Sequence, residues 1–144
     1  MDNKQHQVNI ITLCDYAQEY NGRLMIVGAF NSLVINKFPY VYQDLALVVR
    51  FAPSSPGEHR VEFSIKEING RFTLMEKQSF KINTSANLRN PYANLIIKGS
   101  YVTIPEAGDY KVIFKIDEQE FSTIVTISDA RNSNIVKENI QLGK

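Results

Sequence analysis

The stretch GEHRVEFSIKEINGRF, from Gly57 to Phe72, holds an alternating apolar run and a turn signal side by side. Val61, Phe63 and Ile65 alternate with Arg60, Glu62, Ser64 and Lys66. A strand sends successive side chains to opposite faces, so this spacing buries one face and wets the other. Asn69-Gly70 then supplies the two residue types that most readily take the positive φ of a type I′ hairpin turn. The stretch therefore predicts a hairpin with Ile68 opposite Arg71, Ile65 opposite Leu74 and Glu62 opposite Lys77. That register places Glu76 and Gln78 on the apolar face, so a bulge is expected near them.

Working outward, the same period-2 pattern recurs. In LALVVRFA, Leu45, Leu47, Val49 and Phe51 share one face and Arg50 lies on the other. Asn21-Gly22 predicts a second hairpin that folds Asn9–Gln18 back on Arg23–Phe30, with Ala17 near Ile26 and Leu13 near Phe30. A third turns around Glu118-Gln119, where Ile116 meets Phe121, Val112 meets Val125 and Tyr110 meets Ile127. With Leu45–Ala52 and Leu95–Ile104, the count is about eight strands, and no segment carries a sustained helical apolar stripe. Short strands at this spacing predict an all-β, antiparallel two-sheet β-sandwich of jelly-roll or Greek-key type. Two longer connections, Asn36–Asp44 and Asn83–Asn94, would cross between the sheets. One domain over 1–128 is expected, with 129–144 a C-terminal tail that is loosely ordered or forms a short added element.

Bulk composition narrows the function classes. The chain has 144 residues, 44% hydrophobic and 22% charged, the profile of one globular domain. Its 16 basic and 15 acidic residues leave a net charge of +1. Nucleic acid and anionic membranes select clustered Lys and Arg, and here the basic residues stand singly, so neither partner is expected. Cys14 has no second cysteine to pair with. MDNKQHQVNI has no signal-peptide core, and no apolar run approaches the roughly 20 residues that span a bilayer. A cytoplasmic protein is the expectation.

Candidate chemistry is sparse. His59 beside Glu58 would serve a hydrolase only with a further acid or nucleophile brought close by the fold. The bland alternative is a partly exposed histidine at a strand end, with His6 in an N-terminal arm. A zinc site needs three or four ligands, and the two histidines and one cysteine fall short. No metal, cofactor or catalytic residue is assigned. Cys14 lies among Ile11 and Leu13 and reads as a buried structural thiol. Gly28 and Gly99 interrupt strands and mark bulges or close backbone approach. Phe38, Tyr40 and Tyr42 alternate in KFPYVYQ; they either close one end of the sandwich or present a surface for binding. Tyr92 is a further aromatic candidate, and a carbohydrate-binding module would use Tyr40, Tyr42 and Tyr92.

LCDYAQEYNGRLMIVGAFNSL, FPYVYQDLALVVRF and GEHRVEFSIKEINGR together resemble a family of small uncharacterised bacterial proteins with a β-sandwich domain. The resemblance covers Cys14 to Arg71. It implies the fold and a bacterial origin and carries no catalytic residue with it. The resulting expectation is a non-enzymatic module that binds a protein partner or itself, with binding candidates Phe38, Tyr40, Tyr42, His59 and Tyr92.

Overall fold

The run from Leu45 to Val49 is buried at every position, odd and even alike. A strand dry on both faces must lie between two layers, and that placement organises the molecule. The computed structural model describes residues 5–84 and 91–131. Among these are ten strands and no helix: β1 (Gln7–Cys14), β2 (Tyr16–Tyr20), β3 (Arg23–Val27), β4 (Ser32–Ile35), β5 (Tyr40–Ala52), β6 (Gly57–Glu67), β7 (Thr73–Thr84), β8 (Ala93–Ile104), β9 (Gly108–Ile116) and β10 (Gln119–Asp129). They form three sheets, ordered β1-β5-β8, β4-β10-β9-β6-β7 and β2-β3, none closed into a barrel.

The odd residues Leu45, Leu47, Val49 and Phe51 face the five-stranded sheet and pack with Val61, Ile65, Val112 and Phe114 in the main core. Ala46 and Val48 point the opposite way. With Cys14 they meet Ala17, Leu24 and Ile26 of the β2–β3 hairpin in a second, smaller core. Arg50 alone suggested a wet face, but the hairpin covers that face at Ala46 and Val48. Cys14 is fully buried there, and burial pushes its thiol pKa up.

Ten strands in three sheets take the place of the expected eight in two. One addition arises because Asp15 splits the predicted Asn9–Gln18 strand. Residues before it pair with β5 and residues after it with β3. The predicted contacts hold on both sides of the break: Ala17 opposes Ile26, and Leu13 bridges Phe30. A Cβ at Gly28 would collide with the Asp15 carboxylate, so glycine permits the two chains to approach there. The other addition is β4, too short to read as a strand from its own residues. It pairs parallel with β10, so the expected all-antiparallel arrangement is also corrected.

Two predicted registers shift. The Gly57–Phe72 hairpin forms, but Ile65 opposes Met75 and Glu62 opposes Ser79, because register shifts flank Ile65. This is the expected irregularity, and Lys77 still reaches Glu62 diagonally at 3.5 Å. The last hairpin turns at Asp117-Glu118 rather than Glu118-Gln119, so Phe114 meets Phe121 and Tyr110 meets Val125. A slip of two residues preserves the faces, and Val125 and Ile127 stay buried. In the β5–β8 pair the inward positions change parity. They are Leu45 and Leu47 on β5 and Ile97 on β8, and then Tyr42 with its partner Val102. Tyr101, at φ 54°, sits where the change occurs. Of the expected tail, Ala130 and Arg131 follow β10, Arg131 pairing back to Asp129 at 2.8 Å. The remainder, 132–144, lies outside the described residues, as does 85–90 of the second long connection.

Candidate functional site

His59 is the third residue of β6, near the end where β6, the β5–β6 connection and the β9–β10 turn converge. It is 5% exposed, so the expected partly exposed histidine is corrected to a buried one. Burying an imidazole requires partners for both nitrogens. Nε2 donates to the Ser55 carbonyl at 2.7 Å, and Nδ1 meets Asp117 Oδ2 at 2.8 Å. Both partners are acceptors, so satisfying both contacts needs a proton on each nitrogen. His59 is thus held as an imidazolium against a carboxylate. Burial alone would lower its pKa, but the hydrogen bonds to Asp117 and Ser55 and the Asp117 charge outweigh it and raise the pKa. Burial likewise pushes Asp117 up, yet its bonds from His59 and the Arg60 N–H bring its carboxyl below the usual carboxylate range.

His6, expected in a free N-terminal arm, is also buried and completes the cluster. Its Nδ1 accepts from the Ser54 backbone N–H at 2.9 Å. A nitrogen that accepts carries no proton, so the ring proton sits on Nε2 and is donated to Asp117 Oδ2 at 2.9 Å. The Gln119 side chain grips the His6 backbone in both directions, accepting from its N–H at 3.0 Å and donating to its carbonyl at 3.2 Å. The two imidazoles meet edge to face with centroids 5.2 Å apart.

This donor set can be tested against two chemistries. His6, His59 and Asp117 bring one ligand atom each within 4.8 Å of one another, the span of a metal site. A metal-bound histidine donates its other N–H to an acceptor. His59 meets that requirement through Ser55, but His6 presents its other nitrogen to a donor, Ser54 N–H. The tautomer this imposes puts a proton where the metal would bind. His59 and Asp117 alone fall short of the three protein ligands of a catalytic zinc. A hydrolase would need a ring nitrogen facing a nucleophile. In His59 that nitrogen faces the Ser55 backbone carbonyl instead. Glu58, the other half of the sequence candidate, points away and pairs with Lys81 at 3.6 Å.

The aromatic candidates separate into two places. Tyr40 and Tyr42 belong to β5 rather than to a connection, opposite Ile104 and Val102. Phe38 and Tyr42 pack against the main core, whereas Tyr40 is exposed. The Tyr42 hydroxyl donates to Asp15 Oδ1, and burial together with that carboxylate pushes its pKa up. Its ring stacks on Phe30 at 5.8 Å and meets Tyr40 edge-on at 6.0 Å. Tyr40, Tyr42, Asp15, Gln43 and Asp44 line an open depression of about 480 Å³. Tyr92 is not part of it. It lies under the Arg50 guanidinium, 5.0 Å from ring centre to carbon, at the opposite end of β5.

Sequence reasoning missed Asp117, His6 and the outer face of the β2–β3 hairpin. Asp117 carried one readable signal: a short polar break between two alternating runs, where a turn residue at φ 52° falls. On the hairpin, Tyr16 opposes Val27, Gln18 opposes Met25 and Tyr20 opposes Arg23. Ala17, Leu24 and Ile26 face inward, leaving Tyr16, Tyr20, Met25 and Val27 between 45% and 63% exposed. Lys98 lies over the Tyr16 ring at 5.7 Å.

Among the described residues, no helix is long and apolar enough to cross a membrane. No curated protein matches the chain. Among solved structures, the Pseudomonas fluorescens alkylpurine DNA glycosylase AlkC, bound to DNA containing an abasic site analog, aligns at 9% identity with a TM-score of 0.47, covering 85% of this chain and 30% of that one. This chain thus spans under a third of that protein's length. A family model described as "Family of unknown function (DUF6941)" matches residues 9–126, which takes in nine of the ten strands whole or nearly so and the first eight residues of the last. The chain belongs to that family.

Proposed function

We propose that this protein is a non-enzymatic, cytoplasmic binding module that engages a protein chain through the outer face of the β2–β3 hairpin. The bacterial origin implied by the sequence resemblance belongs to the same reading, as does a scaffold in which the five- and three-stranded sheets make a sandwich. The observation that carries it is the exposed row of Tyr16, Tyr20, Met25 and Val27 on one small hairpin. Tyrosine and methionine are enriched where proteins meet, since they offer large apolar contact, and an apolar patch on a soluble surface marks an interaction site. Arg23 and Lys98 at its border supply a polar rim. The near-neutral net charge and the two occupied nitrogens of His59 support a partner that is protein, and a role without catalysis.

The test is a double variant, Tyr20→Ser with Met25→Ser. Both side chains are exposed, so stability should change by only about 0.5 kcal/mol per site. Light scattering across concentration reads self-association, and capture from cell extract on immobilised protein reads a partner. The wild type is expected to self-associate or retain a defined protein, and the variant to lose it with an unchanged Tm. Equal capture by variant and wild type sinks the reading.

A second reading has its own observation. The depression beside Tyr40 and Tyr42 puts aromatic faces next to the Asp15 and Asp44 carboxylates, the combination that stacks on and hydrogen-bonds a sugar. A glycan array with no signal, and none changed by Tyr40→Ala, removes it.

A further inference from the structure

We infer that His6, His59 and Asp117 form a proton-operated clasp that straps His6–Val8 across the end of β5, and that loss of one proton from His59 releases this strap. The cluster ties the segment entering β1 in the three-stranded sheet to the β5–β6 connection, the start of β6 and the β9–β10 turn of the five-stranded sheet.

The geometry makes His59 the member whose loss of a proton breaks the network. Both of its nitrogens face acceptors. If the Nδ1 proton departs to solvent, that nitrogen's lone pair faces Asp117 Oδ2; if the Nε2 proton departs, its lone pair faces the Ser55 carbonyl. Either way one bond becomes a repulsion between two acceptors. Both failures lead to His6. Asp117 holds its Nε2–H, and the connection carrying Ser55 holds its Nδ1 through Ser54.

Other charges near the cluster do not compete for His59. Arg60 gives its backbone N–H to Asp117 Oδ1 at 3.1 Å, while its Nε donates to Ser79. Glu58 pairs outward with Lys81, and Glu118 lies out in solvent toward Lys115. Ile82 opposes His59 on β7 and brings no charge.

The strap has a natural limit. Gln7 opposes Ala52 and Val8 opposes Phe51, and then the β1–β5 ladder shifts register before Ile10. A shift of this kind breaks the continuity of the hydrogen-bond ladder, so opening can stop there. What opens is the Phe51–Ala52 edge of β5, which is then free to take another strand. Since the His59 pKa is raised on folding, the clasp is closed below the unperturbed value of ~6.5 and opens as pH rises through the folded value.

Hydrogen exchange read by mass spectrometry tests this on the full chain, at pH values about two units either side of ~6.5 and with labelling times scaled for intrinsic exchange. Peptides covering 5–8 and 51–55 should lose on the order of tenfold protection at the higher pH, while β9 peptides do not. Asp117→Asn should leave the strap unprotected at both. Because that variant can fail to fold, the 15N shifts of the His59 ring in the wild type provide a second measurement; they should show both nitrogens protonated at the lower pH and one at the higher. Protection independent of pH, or a His59 ring that is singly protonated throughout, overturns the inference. Restoration of protection at the higher pH by zinc chloride also overturns it, since the cluster would then be a cation site.

Discussion

Replacing Val48 with threonine separates a strand with one wet face from a strand buried between layers. The two side chains have nearly the same shape and both favour strands. If Val48 faced solvent, Val48→Thr would change stability by less than about 0.5 kcal/mol. In the structure Val48 is 0% exposed, packed with Cys14, Ala17 and Ala46 and bordered by Leu24, Ile26 and Ile96. Its neighbours there are apolar, so the new hydroxyl enters a site with no side-chain partner. An unpaired buried hydroxyl costs about 1–3 kcal/mol, and the lost methyl adds roughly 0.8 kcal/mol of transfer energy. The sum is about 2–4 kcal/mol. A domain of this size loses about 3–4 °C of Tm per kcal/mol, so the expected fall is about 6–15 °C. Urea unfolding by circular dichroism should show a lower midpoint at unchanged m. Lys66→Thr, on a wet face of β6, is the control and should stay within about 0.5 kcal/mol. A Val48→Thr midpoint equal to that control would refute the buried second face and the three-layer arrangement with it.

Further predictions follow from particular contacts. A Cβ at Gly99 would lie 2.5 Å from Met75 Cε and 2.9 Å from Val102 Cγ2, so Gly99→Ala should cost about 1–3 kcal/mol. A double-mutant cycle with Met75→Ala should show that cost shrink; an unchanged cost would mean the two do not touch. Tyr110 is fully buried and donates its hydroxyl to the Glu106 carbonyl at 2.7 Å, so Tyr110→Phe should lose about 0.5–1.5 kcal/mol, read from urea midpoints. Arg71 makes three hydrogen bonds to the buried Glu67 carboxylate and, chiefly through its guanidinium, holds that pKa down. Stability from this pair is present above the unfolded glutamate pKa and lost as pH falls through the folded one. Arg71→Ala should lower Tm at neutral pH, and adding Glu67→Gln should recover part of it; no recovery would show that the guanidinium's packing matters rather than its charge. The His59–Asp117 pair acts at both ends of the pH scale: its His59 contribution disappears as pH rises and its Asp117 contribution as pH falls. Wild-type urea midpoints should therefore pass through a maximum that Asp117→Asn flattens.

Local chemistry in the sequence was informative and long-range chemistry was not. The Asn21-Gly22 turn fixed its own register, because both residues take positive φ (51° and 75°) and nothing downstream competes. The Asn69-Gly70 hairpin formed, with positive φ at Gly70 alone (77°), and its ladder shifts register on both sides of Ile65, which local turn chemistry does not specify. Alternation located the inward faces of β6, β9 and β10 well. It failed on β5, where alanine and valine at even positions look neutral until a covering hairpin is known. It also failed at Tyr101, where one left-handed residue exchanges inside for outside. The histidine cluster was the least legible element. His6, His59 and Asp117 are separated by whole sheets in sequence, and only the fold brings a third polar group to an imidazole. Alternation in KFPYVYQ left Phe38 and Tyr42 with two possible roles, and only the packed sheets show that both rings lie against the main core.

Ser32 finds its ladder partner in Thr126, and Ile35 in Asp129. A ribosome must therefore release almost the whole described chain before this short parallel pair can zip. Until then one flank of the five-stranded sheet has no neighbour, and chain closure between such distant segments is slow. Late pairing makes β4 a gatekeeper of completeness. Nascent chains halted short of Thr126 make none of these pairs and leave that flank unsealed, with unpaired strand groups of the kind that favour aggregation.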